Sequence, residues 1–139
     1  LTDTKATSVV KNLRLENSYI KGLNDKGTGS IVGCGSGTLN FVYSNAIIEG
    51  QSSNCGGFIG YMKAGKTNSM ENCWFDGSVQ VSSNMAISTG GLVGRVLSNT
   101  SMCRIQHCLN TGDVVTRGHK AQLPLGCKYS PFHRVLPRS

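Results

Sequence analysis

Short apolar and β-branched runs, among them Val10 to Leu15, Phe58 to Tyr61 and Val79 to Val81, are separated by Gly, Asn and Ser through most of the chain, and no stretch holds a helical period. Inside the runs apolar and polar positions alternate, which predicts short strands with one face inward and one in water. The runs also recur. Leu15-Glu16-Asn17-Ser18, Tyr43-Ser44-Asn45-Ala46, Met70-Glu71-Asn72-Cys73 and Ile105-Gln106-His107-Cys108 are each followed by a glycine (Gly22, Gly50, Gly77, Gly112), and these glycines lie 28, 27 and 35 residues apart. A second element, Gly29-Ser30-Ile31-Val32-Gly33, Gly56-Gly57-Phe58-Ile59-Gly60 and Gly90-Gly91-Leu92-Val93-Gly94, precedes the next copy of the first by 10, 10 and 11 residues.

Two linked elements that keep phase define a tandem repeat, and a repeat made of short strands predicts a solenoid. Helical repeats lack the required period here, and a WD-type propeller blade lacks its Trp-Asp signature. The expected fold is all-β: a right-handed parallel β-helix of about four coils over residues 1–116, followed by an irregular tail, 117–139. Aligned on the repeat, Leu15, Tyr43, Met70 and Ile105 form an expected inward column beside a watery one of Glu16, Ser44, Glu71 and Gln106. The stretch from Ser82 to Ser88 is expected to absorb the longer third interval, since loop closure costs rise slowly with length.

Composition narrows the function classes. The chain of 139 residues is 38% hydrophobic, 6% aromatic and 15% charged, with 18 glycines, which suits strands and turns in one domain. No apolar run approaches the roughly 18 residues of a membrane span. No signal peptide opens the sequence, which begins at Leu1 and reads as a piece of something longer. The net charge of +7 raises nucleic-acid binding, but residues 1–116 carry nine Lys or Arg against seven Asp or Glu, whereas Arg117, Lys120, Lys128, Arg134 and Arg138 face no acid in the tail. Basicity confined to the tail, without aromatics interleaved on a basic face, argues against a nucleic-acid partner.

The segment Gly90-Gly91-Leu92-Val93-Gly94 followed by Ile105-Gln106-His107-Cys108-Leu109-Asn110-Thr111-Gly112-Asp113-Val114 resembles the GLUG repeat, and Glu71-Asn72-Cys73-Trp74-Phe75-Asp76-Gly77-Ser78-Val79 resembles the same half-unit. The resemblance spans roughly Val9 to Val115. It implies a β-solenoid stalk in a large secreted or surface-attached bacterial protein, a group that includes adhesins and immunoglobulin A-cleaving metallopeptidases. The metallopeptidase activity does not carry over, because the His-Glu-x-x-His zinc motif is absent from this sequence. The tail departs from the pattern, offering Gln122-Leu123-Pro124-Leu125-Gly126 where another glycine element is due.

Several residues are candidates for chemistry. Asn17, Asn45 and Asn72, with His107 in the fourth coil, are expected to stack as a structural ladder at one bend, where Asn tolerates left-handed backbone. Six cysteines (Cys34, Cys55, Cys73, Cys103, Cys108, Cys127) allow fifteen disulfide pairings in an exported chain. Cys73 and Cys108 share a column, which admits either a disulfide or stacked buried thiols. Cys103 and Cys108 with His107 match a zinc site only loosely, so no metal or other cofactor is expected. Glu49 and Asp76 would share a column and suit a retaining glycosidase, although Lys21 and Thr111 in the same column read as an ordinary solvated ladder. Trp74 groups with Tyr19, Ile47 and Leu109 and is either core or, if outward, a sugar-stacking platform; an all-apolar column favours core.

These readings converge on a non-enzymatic structural or adhesive repeat module that presents loops to a host or matrix protein or a glycan, secreted or on the cell surface as the resemblance implies. A carbohydrate-active β-helix enzyme or a carbohydrate-binding module is the alternative. Uncapped solenoid ends are expected to let the fragment self-associate.

Overall fold

The computed structural model describes residues 1–116 except 6, 24–25, 52–53, 64–66, 83–87 and 98–101, with backbone only at 2–4 and 67. The tail 117–139 and most of the expected insertion from Ser82 to Ser88 lie outside the described residues. The chain runs through four successive tiers. The first holds β1 (Thr2–Thr4), β2 (Val9–Leu15) and β3 (Tyr19–Gly22), and the second β4 (Val32–Gly35), β5 (Gly37–Ser44) and β6 (Ile47–Gly50). The third holds β7 (Cys55–Gly56), β8 (Ile59–Met62), β9 (Thr67–Glu71), β10 (Trp74–Phe75) and β11 (Ser78–Val81). The fourth holds β12 (Thr89–Gly90), β13 (Val93–Val96), β14 (Met102–Gln106), β15 (Leu109–Asn110) and β16 (Asp113–Thr116).

Each tier places strands in the same three sheets. The first sheet runs β1-β4-β8-β13 and the third β3-β6-β11-β16; the second stacks β2, β5, then β9 with β10, then β14 with β15. A short ladder pairs β7 with β12. All these pairings are parallel, and the described residues contain no helix, so the fold is all-β and solenoid-like.

The glycine element forms the corner leading into the first sheet, and its sequence alignment is the structural one. Ile31, Phe58 and Leu92 occupy equivalent corner positions and are all buried, while Val32, Ile59 and Val93 pair in the next column. Glycine is required because backbones converge there. A Cβ on Gly60 would sit 2.7 Å from the Asn54 carbonyl oxygen and closer still to the Thr28 nitrogen, and one on Gly57 would meet both the Gly91 carbonyl and the Phe75 ring. Phe58 packs edge to face on Phe75 with centroids 5.7 Å apart, joining this corner to the second sheet. Ile20, Ile48, Val79 and Val114 line up in the third sheet and complete the core.

The other alignment slips by four residues. Lys21 pairs with Glu49 and Gly22 with Gly50, but Glu49 then faces Gln80 and Gly50 faces Val81. Between the second and third tiers the first sheet pairs at an offset of 27 (Val32 with Ile59) and the second at 31 (Leu39 with Met70). The extra four residues therefore enter between Met62 and Asn68. The inward column is Val10, Leu39, Met70 and Ile105, not Leu15, Tyr43, Met70 and Ile105. Leu15 instead faces Ser44, which is fully buried rather than in water.

Each tier also bends within the second sheet. Register places Asn12, Phe41, Asn72 and His107 opposite one another, and all four have φ between 51 and 53°. The Asn and His residues suit that left-handed region, whereas Phe41 is held there by its neighbours at a cost.

Truncating Phe58→Ala should lower unfolding free energy by about 3–5 kcal/mol in urea titrations, because it empties the centre of the corner. Phe41→Asn should move the same midpoint the other way, by about 0.5–1 kcal/mol, by relieving left-handed strain at an exposed site.

Candidate functional site

In the second sheet Val42 and Cys73 turn inward, as do Ser44 and Phe75, so the residue between them in each tier points outward. The outward column is Arg14, Tyr43, Trp74 and Leu109. From Arg14 to Trp74 its side chains touch in series, and Trp74 continues the series through Thr111 to Asp76. The Arg14 guanidinium lies 4.1 Å from the Tyr43 ring centroid and 2.7 Å from Glu16 Oε1. Tyr43 and Trp74 meet edge to face with centroids 5.1 Å apart. Trp74 Nε1 donates to Thr111 Oγ1 at 2.8 Å, and Thr111 Oγ1 donates to Asp76 Oδ1 at 2.6 Å. Trp74 nevertheless keeps 43% of its surface exposed.

Around the next bend, on the third sheet, the Tyr19 hydroxyl donates to Glu49 and Lys21 Nζ approaches Glu49 Oε1 at 3.8 Å. The bond to the carboxylate pushes the Tyr19 pKa up. Tyr19 and Ile47 pair on neighbouring strands and are both exposed.

These positions correct several expectations. Glu49 and Asp76 do not share a column: Glu49 is opposite Gln80, four residues beyond Asp76, and each carboxylate is engaged in a different tier-to-tier contact. Trp74 is outward, not core, because its column contains Arg14 and Tyr43 rather than Tyr19 and Ile47. The single ladder of Asn17, Asn45, Asn72 and His107 is split between two bends. Asn45 Oδ1 accepts from the Asn17 amide at 2.8 Å at one, while Asn72 and His107 lie at the other, where Asn72 Nδ2 donates to Asn40 Oδ1 at 3.2 Å. Arg14, Tyr43 and Thr111 went unnoticed as site residues because only the true register aligns them.

No family model, curated protein or solved structure matches this chain.

Cys73 and Cys108 are opposite one another in adjacent tiers, buried and unbonded. The hydrogen bond between the two thiols, with burial, pushes the Cys73 pKa up. Cys34 and Cys55 are likewise outside any disulfide, whereas Cys103 is disulfide-bonded. Among the described residues, no group of three His, Cys, Asp or Glu side chains is arranged to hold a metal ion. A cavity of about 280 Å³, its solvent mouth included, opens beside Val10, Leu39 and Asn68 and is lined by uncharged residues.

Burial pushes the Cys55 thiol up to about 11. Between pH 9 and 11 the unfolded chain releases this proton while the folded chain keeps it, so stability should fall with rising pH by about 1.4 kcal/mol per unit. Chemical denaturation at pH 8.0 and 10.5 should show this decline, and Cys55→Ala should reduce it.

Proposed function

We propose that this chain is a structural and adhesive repeat module of a secreted or cell-surface bacterial protein, wound as a right-handed parallel β-helix of about four coils and related to the GLUG-repeat proteins. The observation that carries the reading is the outward column of Arg14, Tyr43 and Trp74, held in place by parallel pairing above an inward column of Val10, Leu39 and Met70. One register thus serves both purposes: it seals a core and arrays recognition groups along the stack. The partner is a host or matrix protein or a glycan. Two features favour this over glycoside hydrolysis: Glu49 and Asp76 are separated by the register, and each is bound to its own neighbours. At the first tier, Val9 and Leu13 are 59% and 40% exposed, which supports self-association of isolated fragments through that end.

Beads coated with the full chain should adhere to surfaces carrying matrix proteins or glycans, and beads coated with the unfolded Phe58→Asp variant should not. Equal adhesion by both, or sugar release from polysaccharides that is lost in Glu49→Gln, would overturn the module reading.

A further inference from the structure

We infer that the outward strip of the second sheet is a binding site for a neutral, extended β-linked polysaccharide laid along the stack. The inference rests on the module reading above and names the ligand class of that surface.

Three observations point to this ligand. The first is chemical: Trp74 and Tyr43 are neighbouring aromatic rings on an outward face, and a sugar ring offers C–H groups to such faces and hydroxyls to the polar atoms beside them. Those polar atoms are present. Thr111 donates to Asp76 Oδ1, which leaves the second carboxylate oxygen with acceptor capacity next to the indole.

The second observation is charge. Arg14, the cation in the column itself, is paired with Glu16 at 2.7 Å, and Asp76 adds a negative charge beside Trp74; Lys11 and Arg104 lie on the same sheet before its bend, in register with Asn40 and Ser69. A sulfated or uronic-acid chain laid along this column meets the Asp76 carboxylate and only a paired cation, whereas a neutral hydroxylated chain meets acceptors and the indole face.

The third is repeat length. Parallel strands place successive outward side chains about 4.8 Å apart, comparable to the rise of one hexose in an extended β-1,4-linked chain. Trp74 therefore offers the exposed stacking face, and Tyr43, Arg14 and Leu109 flank it at one contact per sugar along the stack. A helical α-1,4-linked chain cannot keep that step. The side chains are also fixed by contact with one another before ligand arrives, which limits the ordering cost of binding.

The test exploits a convenience of the sequence: Trp74 is the sole tryptophan, so intrinsic fluorescence reports on the strip alone. Titrating the full chain with a β-1,4-linked glucose hexamer should give a saturable change in Trp74 emission, tighter than with the dimer and absent with the α-1,4-linked hexamer. Tyr43→Ala, which keeps the reporter, should weaken binding about tenfold. Arg14→Gln, at an exposed side chain and chosen to leave the fold intact, should weaken it more modestly, and circular dichroism checks both variants. No saturable change with the β-linked hexamer, equal binding of the α-linked hexamer, or unaltered affinity in both folded variants would overturn the inference. If the hexamer fails while coated beads still adhere to matrix protein, the glycan assignment falls and the module reading stands; if adhesion fails as well, both fall.

Discussion

At the glycine corner the Phe58 carbonyl accepts hydrogen bonds from Ile31 N at 3.1 Å and Val32 N at 3.0 Å, and one tier on the Leu92 carbonyl accepts from Phe58 N at 2.9 Å and Ile59 N at 3.2 Å. The same bifurcated arrangement in consecutive tiers fixes where each new tier begins over the last. It exists only because glycines on both sides let the backbones approach, and because Ile31, Phe58 and Leu92 fill the space inside. The corner is joined to the second sheet through Phe58 on Phe75, while the register of that sheet is set afresh by the four residues that enter between Met62 and Asn68. Phe75 is the chain neighbour of Trp74, so packing at the corner reaches the residue next to the outward strip.

The corner was readable from the sequence because its constraint is local: Gly-Gly-hydrophobic-hydrophobic-Gly records close backbone contact directly, and the paired strands follow that alignment. The strand positions were equally readable from alternation. Register on the second sheet was not. Glu71-Asn72 looks like Glu16-Asn17, yet in the structure Asn72 occupies a different bend from Asn17, and four residues enter between Met62 and Asn68. An even insertion keeps every side chain on its expected face, so the apolar and polar pattern is blind to it. The four-residue insertion therefore parts Glu49 from Asp76 and sets Tyr43 against Trp74 instead of Met70, while an offset of 29 rather than 28 between the first two tiers turns Tyr43 outward and Ser44 inward. The left-handed bend at Phe41 was also hidden, since an aromatic residue gives no sign of that backbone conformation.

The thiols illustrate the same division between local and stacked information. A small residue at Ala46 or Ser18 told little about its column, but Cys73 and Cys108 come into opposition because the third and fourth tiers keep a constant offset of 35 across the second and third sheets. Each thiol donates to a backbone carbonyl, Cys73 Sγ to Glu71 O at 3.1 Å and Cys108 Sγ to Gln106 O at 3.2 Å, so burial leaves neither unsatisfied and no covalent link is demanded.

The parallel pairing has a mechanical meaning. Hydrogen bonds between tiers point along the stack, so tension applied through its two ends pulls on them lengthwise and loads the terminal tier first. Tiers then peel in sequence, each releasing the 27 to 35 residues that separate paired positions, or roughly 100 Å of extended chain. Such a stack yields by discrete steps under load, lengthening tier by tier.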